Sequence, residues 1–130
     1  MERGALPRIN TFRDLVAWQK SIGLVRLVYQ QTGSFPDREQ YGLVAQMRRA
    51  AVSVPANIAE GYGRGRKMDY IRFLRMARGS LFELMSHAEV ARQLSWLGGD
   101  GMRSFEGSSA EVDRLLSGLL RALMQSKAKS

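Results

Sequence analysis

Apolar residues recur at steps of three and four along most of the chain, the period of one face of a helix. The first run is Leu15, Trp18, Ile22, Val25 and Tyr29, and it predicts a helix over 12–31. Val16, Leu24, Leu27 and Val28 lie off that stripe, so this helix is apolar on more than one side. Thr11 with Asp14 is a capping signature at its start, and Gly33 is a stop beyond its end. The second run is Leu43, Met47, Ala50, Val54 and Ile58, predicting a helix over 37–61. Asp37 and Gln40 form its capping box, and Gly61, Gly63 and Gly65 end it. The third run, Phe73, Ala77, Leu81, Leu84, Ala88 and Ala91, predicts a long helix over 67–97 stopped by Gly98-Gly99. Ile71 and Phe82 project elsewhere, beside Arg75 and Arg78, and the small pair Gly79-Ser80 invites close approach by a neighbour.

A glycine- and serine-rich stretch, GGDGMRSFEGSS, reads as a linker. Beyond it, Val112, Leu115, Leu116, Leu119 and Leu123 predict a fourth helix over 109–126, with Ser108 and Glu111 as its capping box. The last few residues, QSKAKS, are expected to fray. No strand pattern and no internal repeat emerges. Four helices joined by short links predict an all-α, antiparallel up-and-down four-helix bundle, a single domain over 1–130. The extra apolar positions on the first and third helices predict self-association.

Charge changes this picture more than composition does. The net charge is +8, and sixteen of the 20 basic residues are arginine, which contacts phosphate and carboxylate bidentately. Residues 38–78 hold nine basic groups against three acidic ones, a surplus of six. The basicity is therefore local, and a local basic patch points to nucleic acid or another polyanion. The competing reading is a set of internal salt bridges. With no cysteine, disulfides, Cys-based zinc sites and thiol catalysis are excluded. No apolar run reaches the roughly 20 residues of a membrane span, and the N-terminus carries no hydrophobic signal core, so a cytoplasmic location is expected.

Two surfaces stand out in the second helix and the turn after it. On a helical wheel Gln46, Arg49, Ser53, Asn57 and Glu60 share one stripe, a polar seam opposite the apolar face. Its side chains recognise by hydrogen bonding, which suits subunit assembly or nucleic acid better than bare solvent. Pro55 removes a backbone N–H and crowds the carbonyl of Ala51, so a kink is expected there. The turn from Gly61 to Lys67 then opens the third helix, where free N–H groups favour anions. Arg64, Arg66 and Lys67 sit beside that end, and Arg72, Arg75 and Arg78 follow along one flank. Together with Arg49 these are the candidate phosphate contacts, and Asn57 and Tyr62 are candidate base or sugar contacts. The turn is no P-loop, since it lacks the GKS/GKT end and a preceding strand.

No catalytic residue, cofactor site or metal site is assigned. The single histidine, His87, has Glu83 one turn before it, which is a helix-surface pair. Metal ligation needs more histidine, cysteine or clustered carboxylate.

Several segments carry a family resemblance. They are Phe12-Arg13-Asp14-Leu15 with Trp18-Gln19, then Tyr29, Thr32, Phe35-Pro36, Glu39, Tyr41-Gly42-Leu43 and Gln46. Arg48-Arg49-Ala50, Ser53-Val54-Pro55, Asn57-Ile58-Ala59-Glu60-Gly61 and Gly63-Arg64 form the most distinctive motif, followed by Phe73-Leu74, Ala77, Gly79-Ser80-Leu81 and Glu83-Leu84. From Phe12 to Leu97 the chain resembles the four-helix-bundle family encoded in intervening sequences of bacterial 23S ribosomal RNA genes, also labelled S23 ribosomal protein. The resemblance implies an up-and-down bundle assembled as a homopentamer. It also implies kinship with the accessory variability protein of diversity-generating retroelements, which binds reverse transcriptase and nucleic acid through a basic surface. It carries no active site onto this chain. Two departures stand out: Arg66-Lys67 replaces the Ser or Thr that caps the third helix, and Met85-Ser86-His87 replaces Glu-Thr-Gln.

The expected function is a non-enzymatic homo-oligomeric bundle whose basic surface binds structured RNA or DNA, with ribosomal RNA among the partners. The alternative is a protein-interaction scaffold in which the polar seam serves assembly and no nucleic acid is bound.

Overall fold

The computed structural model describes residues 8–126. Four helices build it: α1 (Val16–Thr32), α2 (Leu43–Arg64), α3 (Lys67–Gln93) and α4 (Gly99–Gln125), with 3-10 turns at Phe12–Asp14 and Asp37–Glu39. The expectations for the extreme N-terminus and for the fraying tail fall largely on 1–7 and 127–130, outside the described residues. No strand occurs among the described residues, and no helix is long and apolar enough to cross a membrane.

The helices form an antiparallel up-and-down bundle. Each of α1 and α3 packs on both α2 and α4, and the diagonal pairs lie further apart. Lys20 reaches Glu111 at 3.8 Å while Gln31 donates to the Gly101 carbonyl at 2.8 Å, which sets α4 antiparallel to α1. Met47, Val54 and Ile58 of α2 meet Leu74, Leu81 and Leu84 of α3 in a core closed by Leu24, Val28, Phe105 and Leu116.

The core face of α1 differs from the expected stripe. Ala17, Ser21, Leu24, Val28 and Thr32 are buried, Trp18, Ile22 and Val25 are half-buried, and Tyr29 is exposed. The helix turns its smaller residues inward so that it can approach its neighbours. The Ser21 hydroxyl donates to the Trp18 carbonyl at 2.7 Å, and the Thr32 hydroxyl to the Val28 carbonyl at 2.7 Å. A hydroxyl satisfied by its own helix is buried at little cost.

Helix ends also depart from expectation. The Thr11–Asp14 capping box forms, but it caps the 3-10 turn, and α1 proper begins at Val16. The Asp37–Gln40 box does not cap α2, which starts at Leu43 with its N–H donating to the Glu39 carboxylate at 3.2 Å. That helix runs without a break through the buried Pro55 and past Gly61 and Gly63 to Arg64. Only Gly65, at φ 77°, takes the left-handed conformation that ends it. Helix α3 stops at Gln93, short of the Gly98-Gly99 pair. Ser95 sits left-handed at φ 64°, its N–H donates to the Arg92 carbonyl at 3.0 Å, and the Trp96 N–H donates to the Ala91 carbonyl at 2.9 Å. These two bonds make a Schellman cap.

The largest correction concerns the glycine-rich stretch, which is the first three turns of α4 rather than a linker. Met102, Phe105 and Ser109 are buried along one face, so tertiary packing overrides weak helix propensity. The proposed Ser108–Glu111 capping box therefore lies inside a helix.

Candidate nucleic-acid interface

The polar seam divides. Ser53 and Asn57 are half-buried, whereas Gln46, Arg49 and Glu60 are exposed. The Ser53 hydroxyl bonds that of Ser80 across the helix interface at 2.8 Å. The Asn57 amide nitrogen donates to the Ser53 carbonyl at 2.8 Å and to its hydroxyl at 3.0 Å. This hydrogen-bonded knot sits around Pro55 and ties α2 to α3. Gly61 lies at the same interface, buried against Phe73 and Tyr70. Tyr62 and Tyr70 meet edge to face at 6.0 Å. Burial, and then the neighbouring Tyr62, push the Tyr70 hydroxyl up to about 12.

The basic turn follows. Arg66 is the N-cap of α3 and offers no side-chain cap, so the first-turn N–H groups are left uncapped by it, with Asp69 as the acidic residue of that turn. Lys67 donates from Nζ to the Ser126 carbonyl at 2.6 Å, fastening the start of α3 to the end of α4. Arg64 pairs with Glu60 at 2.9 Å, one helical turn back, and lies over the Phe73 ring at 5.0 Å. Arg72 lies over the same ring at 4.5 Å, with Asp69 at 3.7 Å. Arg78 is held by Asp113 of α4 at 2.7 Å and stacks on Phe82 at 4.8 Å. The Arg75 guanidinium lies 3.5 Å from the Met124 sulfur and makes no ion pair to a described residue. The side chains of Arg49 and Arg66 make no hydrogen bond or ion pair to a described residue.

The structure thus gathers Arg64, Arg66, Lys67, Arg72, Arg75 and Arg78 along one end and flank of α3, while Arg49, Asn57 and Gln46 lie further along α2. It adds one residue that sequence reading missed. Arg121 of α4 lines the same groove as Arg75 and Arg78. Nothing in the linear sequence signals this, because Arg121 joins the patch only through the antiparallel pairing of α3 and α4.

The histidine reading keeps its geometry: His87 Nε2 lies 3.3 Å from Glu83 Oε2 on the helix surface. Among the described residues no group of three or more His, Asp or Glu side chains is placed to hold a metal.

Comparison with known proteins agrees with the fold. The model of the family described as 23S rRNA-intervening sequence protein matches residues 13–118. A crystal structure of a protein of unknown function from the S23 ribosomal protein family of Bacteroides thetaiotaomicron superposes with a TM-score of 0.74 at 22% identity, covering 82% of this chain and 96% of that one. At that identity the likeness is one of fold. No curated protein matches the chain.

Proposed function

The chain belongs to the 23S rRNA-intervening sequence protein family, and we propose that it is a non-enzymatic, self-associating bundle whose basic surface binds structured RNA or DNA. The observation that carries the reading is the incomplete neutralisation of the patch. Arg66, Arg75 and Arg49 have no carboxylate partner among the described residues. The ion pairs of Arg64 and Arg72 are half-exposed i,i+4 and i,i+3 contacts, weak enough for phosphate to displace. Arg66 in place of a capping residue supports an anion at the start of α3.

Self-association is supported by apolar side chains left in solvent on the outer faces. Val16 of α1, Val52 of α2, and Met68, Met76 and Val90 of α3 are each more than two-fifths exposed. A pentamer is the assembly proposed from the family resemblance. The competing reading is a protein-interaction scaffold in which the polar seam serves subunit assembly and no nucleic acid is bound, supported by the salt bridges within the patch.

The test is a filter-binding titration with ribosomal RNA fragments at several salt concentrations, with oligomer size followed by light scattering. Affinity should fall steeply with salt, by roughly 0.9 log-log units per duplex phosphate neutralised. Arg64→Glu with Arg66→Glu should abolish retention and leave the oligomer intact. No binding at low salt, or binding indifferent to salt, would leave the scaffold reading in its place.

A further inference from the structure

An open groove of about 500 Å³ runs between α3 and α4. Arg75, Arg78 and Arg121 line it together with Gly79 and Phe82, and no acidic residue is among its lining. Asp113 of α4 is engaged by Arg78 at 2.7 Å. The Arg75 guanidinium lies 3.5 Å from the Met124 sulfur, and neither the Arg75 nor the Arg121 side chain makes an ion pair to a described residue. Two guanidinium groups share one groove without a counter-charge, and an anion there removes the repulsion between them.

Gly79 is the second observation. A glycine in a helix interior costs about 1 kcal/mol relative to alanine. Close packing normally explains it, yet a Cβ at Gly79 would meet nothing within 4 Å. No described residue packs into the space a Cβ would take, and Gly79 leaves that part of the groove wall open.

The third is an aromatic face. Phe82 is 43% exposed, lines the groove, and carries the Arg78 guanidinium at 4.8 Å. Aromatic rings and guanidinium planes beside a positive groove are the platform on which unpaired bases stack. A duplex offers phosphates but keeps its base faces inside, so Phe82 would have nothing to meet.

We infer that the α3–α4 groove binds an unpaired stretch of nucleic-acid strand, with phosphates on Arg75 and Arg121 and a base stacked on Phe82. This rests on the nucleic-acid reading above and narrows it to single-stranded segments and a particular groove.

Fluorescence anisotropy on the full chain tests it, using labelled oligo(U), oligo(dT) and an RNA duplex, each about twelve nucleotides long, a length within the usual single-strand site size. Tight binding of either single strand supports the inference, and the stronger of the two identifies its source. Phe82→Ala should weaken single-strand binding about tenfold, and Phe82→Trp should restore it, while duplex binding changes less than about twofold. Arg121→Ala should flatten the log-log salt dependence by about 0.7. Gly79→Leu, which adds a side chain at a groove position where a Cβ meets nothing within 4 Å, should weaken single-strand binding while circular dichroism shows the fold retained. Single-strand binding unchanged in Phe82→Ala and Gly79→Leu overturns the groove. If that binding still vanishes in Arg64→Glu with Arg66→Glu, the broader reading survives. If the wild type binds none of the three probes at low salt, both fall.

Discussion

The same substitution, glycine to alanine, should have opposite signs at two positions of this bundle. At Gly61 an added Cβ would lie 2.7 Å from the Phe73 Cβ, 3.2 Å from the Tyr70 ring and 3.3 Å from the Tyr70 carbonyl oxygen. Ordinary carbon contacts begin near 3.5 Å, so α2 and α3 must separate by most of an ångström. The Phe73 Cβ and the Tyr70 carbonyl oxygen sit on or next to the backbone and cannot swing aside. Overpacking of this kind costs about 1–3 kcal/mol, and the better helix propensity of alanine returns at most about 1. A clash against atoms on or next to the backbone puts the cost in the upper half of that range, so the net expectation for Gly61→Ala is a loss of about 1–2 kcal/mol. At Gly79 the space is open and only propensity acts, so Gly79→Ala should gain about 0.5–1 kcal/mol. For a domain of this size each kcal/mol moves Tm by about 3–5 °C. Thermal melts by circular dichroism and urea titrations read both. A Gly61→Ala variant as stable as wild type would refute the close approach of α2 and α3.

Four further outcomes follow from named contacts. Ser95→Gly relieves a left-handed serine at the end of α3 and should raise stability by about 0.5–1 kcal/mol; a Tm that stays put would contradict the Schellman cap. Ser53→Ala and Ser80→Ala should couple by about 0.5–1.5 kcal/mol in a double-mutant cycle, whereas simple additivity would mean the two hydroxyls do not bond. Asp113→Asn removes the charge that engages Arg78, which should cost at most about 1 kcal/mol at this partly exposed pair and strengthen heparin or RNA retention with a steeper salt dependence. Two carboxyls titrate low: Asp14 through the backbone N–H groups of Asn10 and Thr11, and Glu89, drawn to about 2 by Arg92 and then Gln93. Depressed carboxyls stabilise above their ordinary pKa and lose that contribution as pH falls, so Tm should drop between about pH 4.5 and pH 2, and Asp14→Asn with Glu89→Gln should shrink the drop.

Periodicity made the α2 and α3 core faces legible, because every residue in the stripe from Met47 to Ile58 and from Phe73 to Ala91 is buried. It misled on α1, where Trp18 and Ile22 outweigh Ala17 and Ser21 in hydrophobicity but are too bulky for the closest approach. Glycine was harder still, since one residue type serves three purposes here. Gly65 supplies a left-handed cap, Gly61 a close helix contact, and the glycines at 99, 101 and 107 ride inside a helix on neighbouring buried side chains. Local composition treats all three as breaks, and only the packing partner tells them apart. The seam met the same limit: the wheel put Ser53 and Asn57 on one stripe with Arg49, but a stripe edge can face a neighbouring helix of the same chain.

The charge cluster shows why a basic patch on a small bundle can be both stable and receptive. Arg64 and Arg72 lie over Phe73, Arg78 over Phe82, and on the α1–α2 side Arg48 over Tyr29 at 4.4 Å. A guanidinium stacked on a ring uses its flat face for the contact, while its N–H donors radiate in the plane and stay available. Carboxylate pairing consumes those same donors. Arg64, Arg72 and Arg78 each also pair with a carboxylate, so the ring fixes where their charge sits while Glu60, Asp69 and Asp113 take up part of their donor capacity. Arg48 illustrates the structural use of that capacity, donating to the Thr32 hydroxyl at 3.0 Å. On the α3 flank the donors of Arg75 and Arg121 have no comparable acceptor among the described residues, and there the patch is open to phosphate.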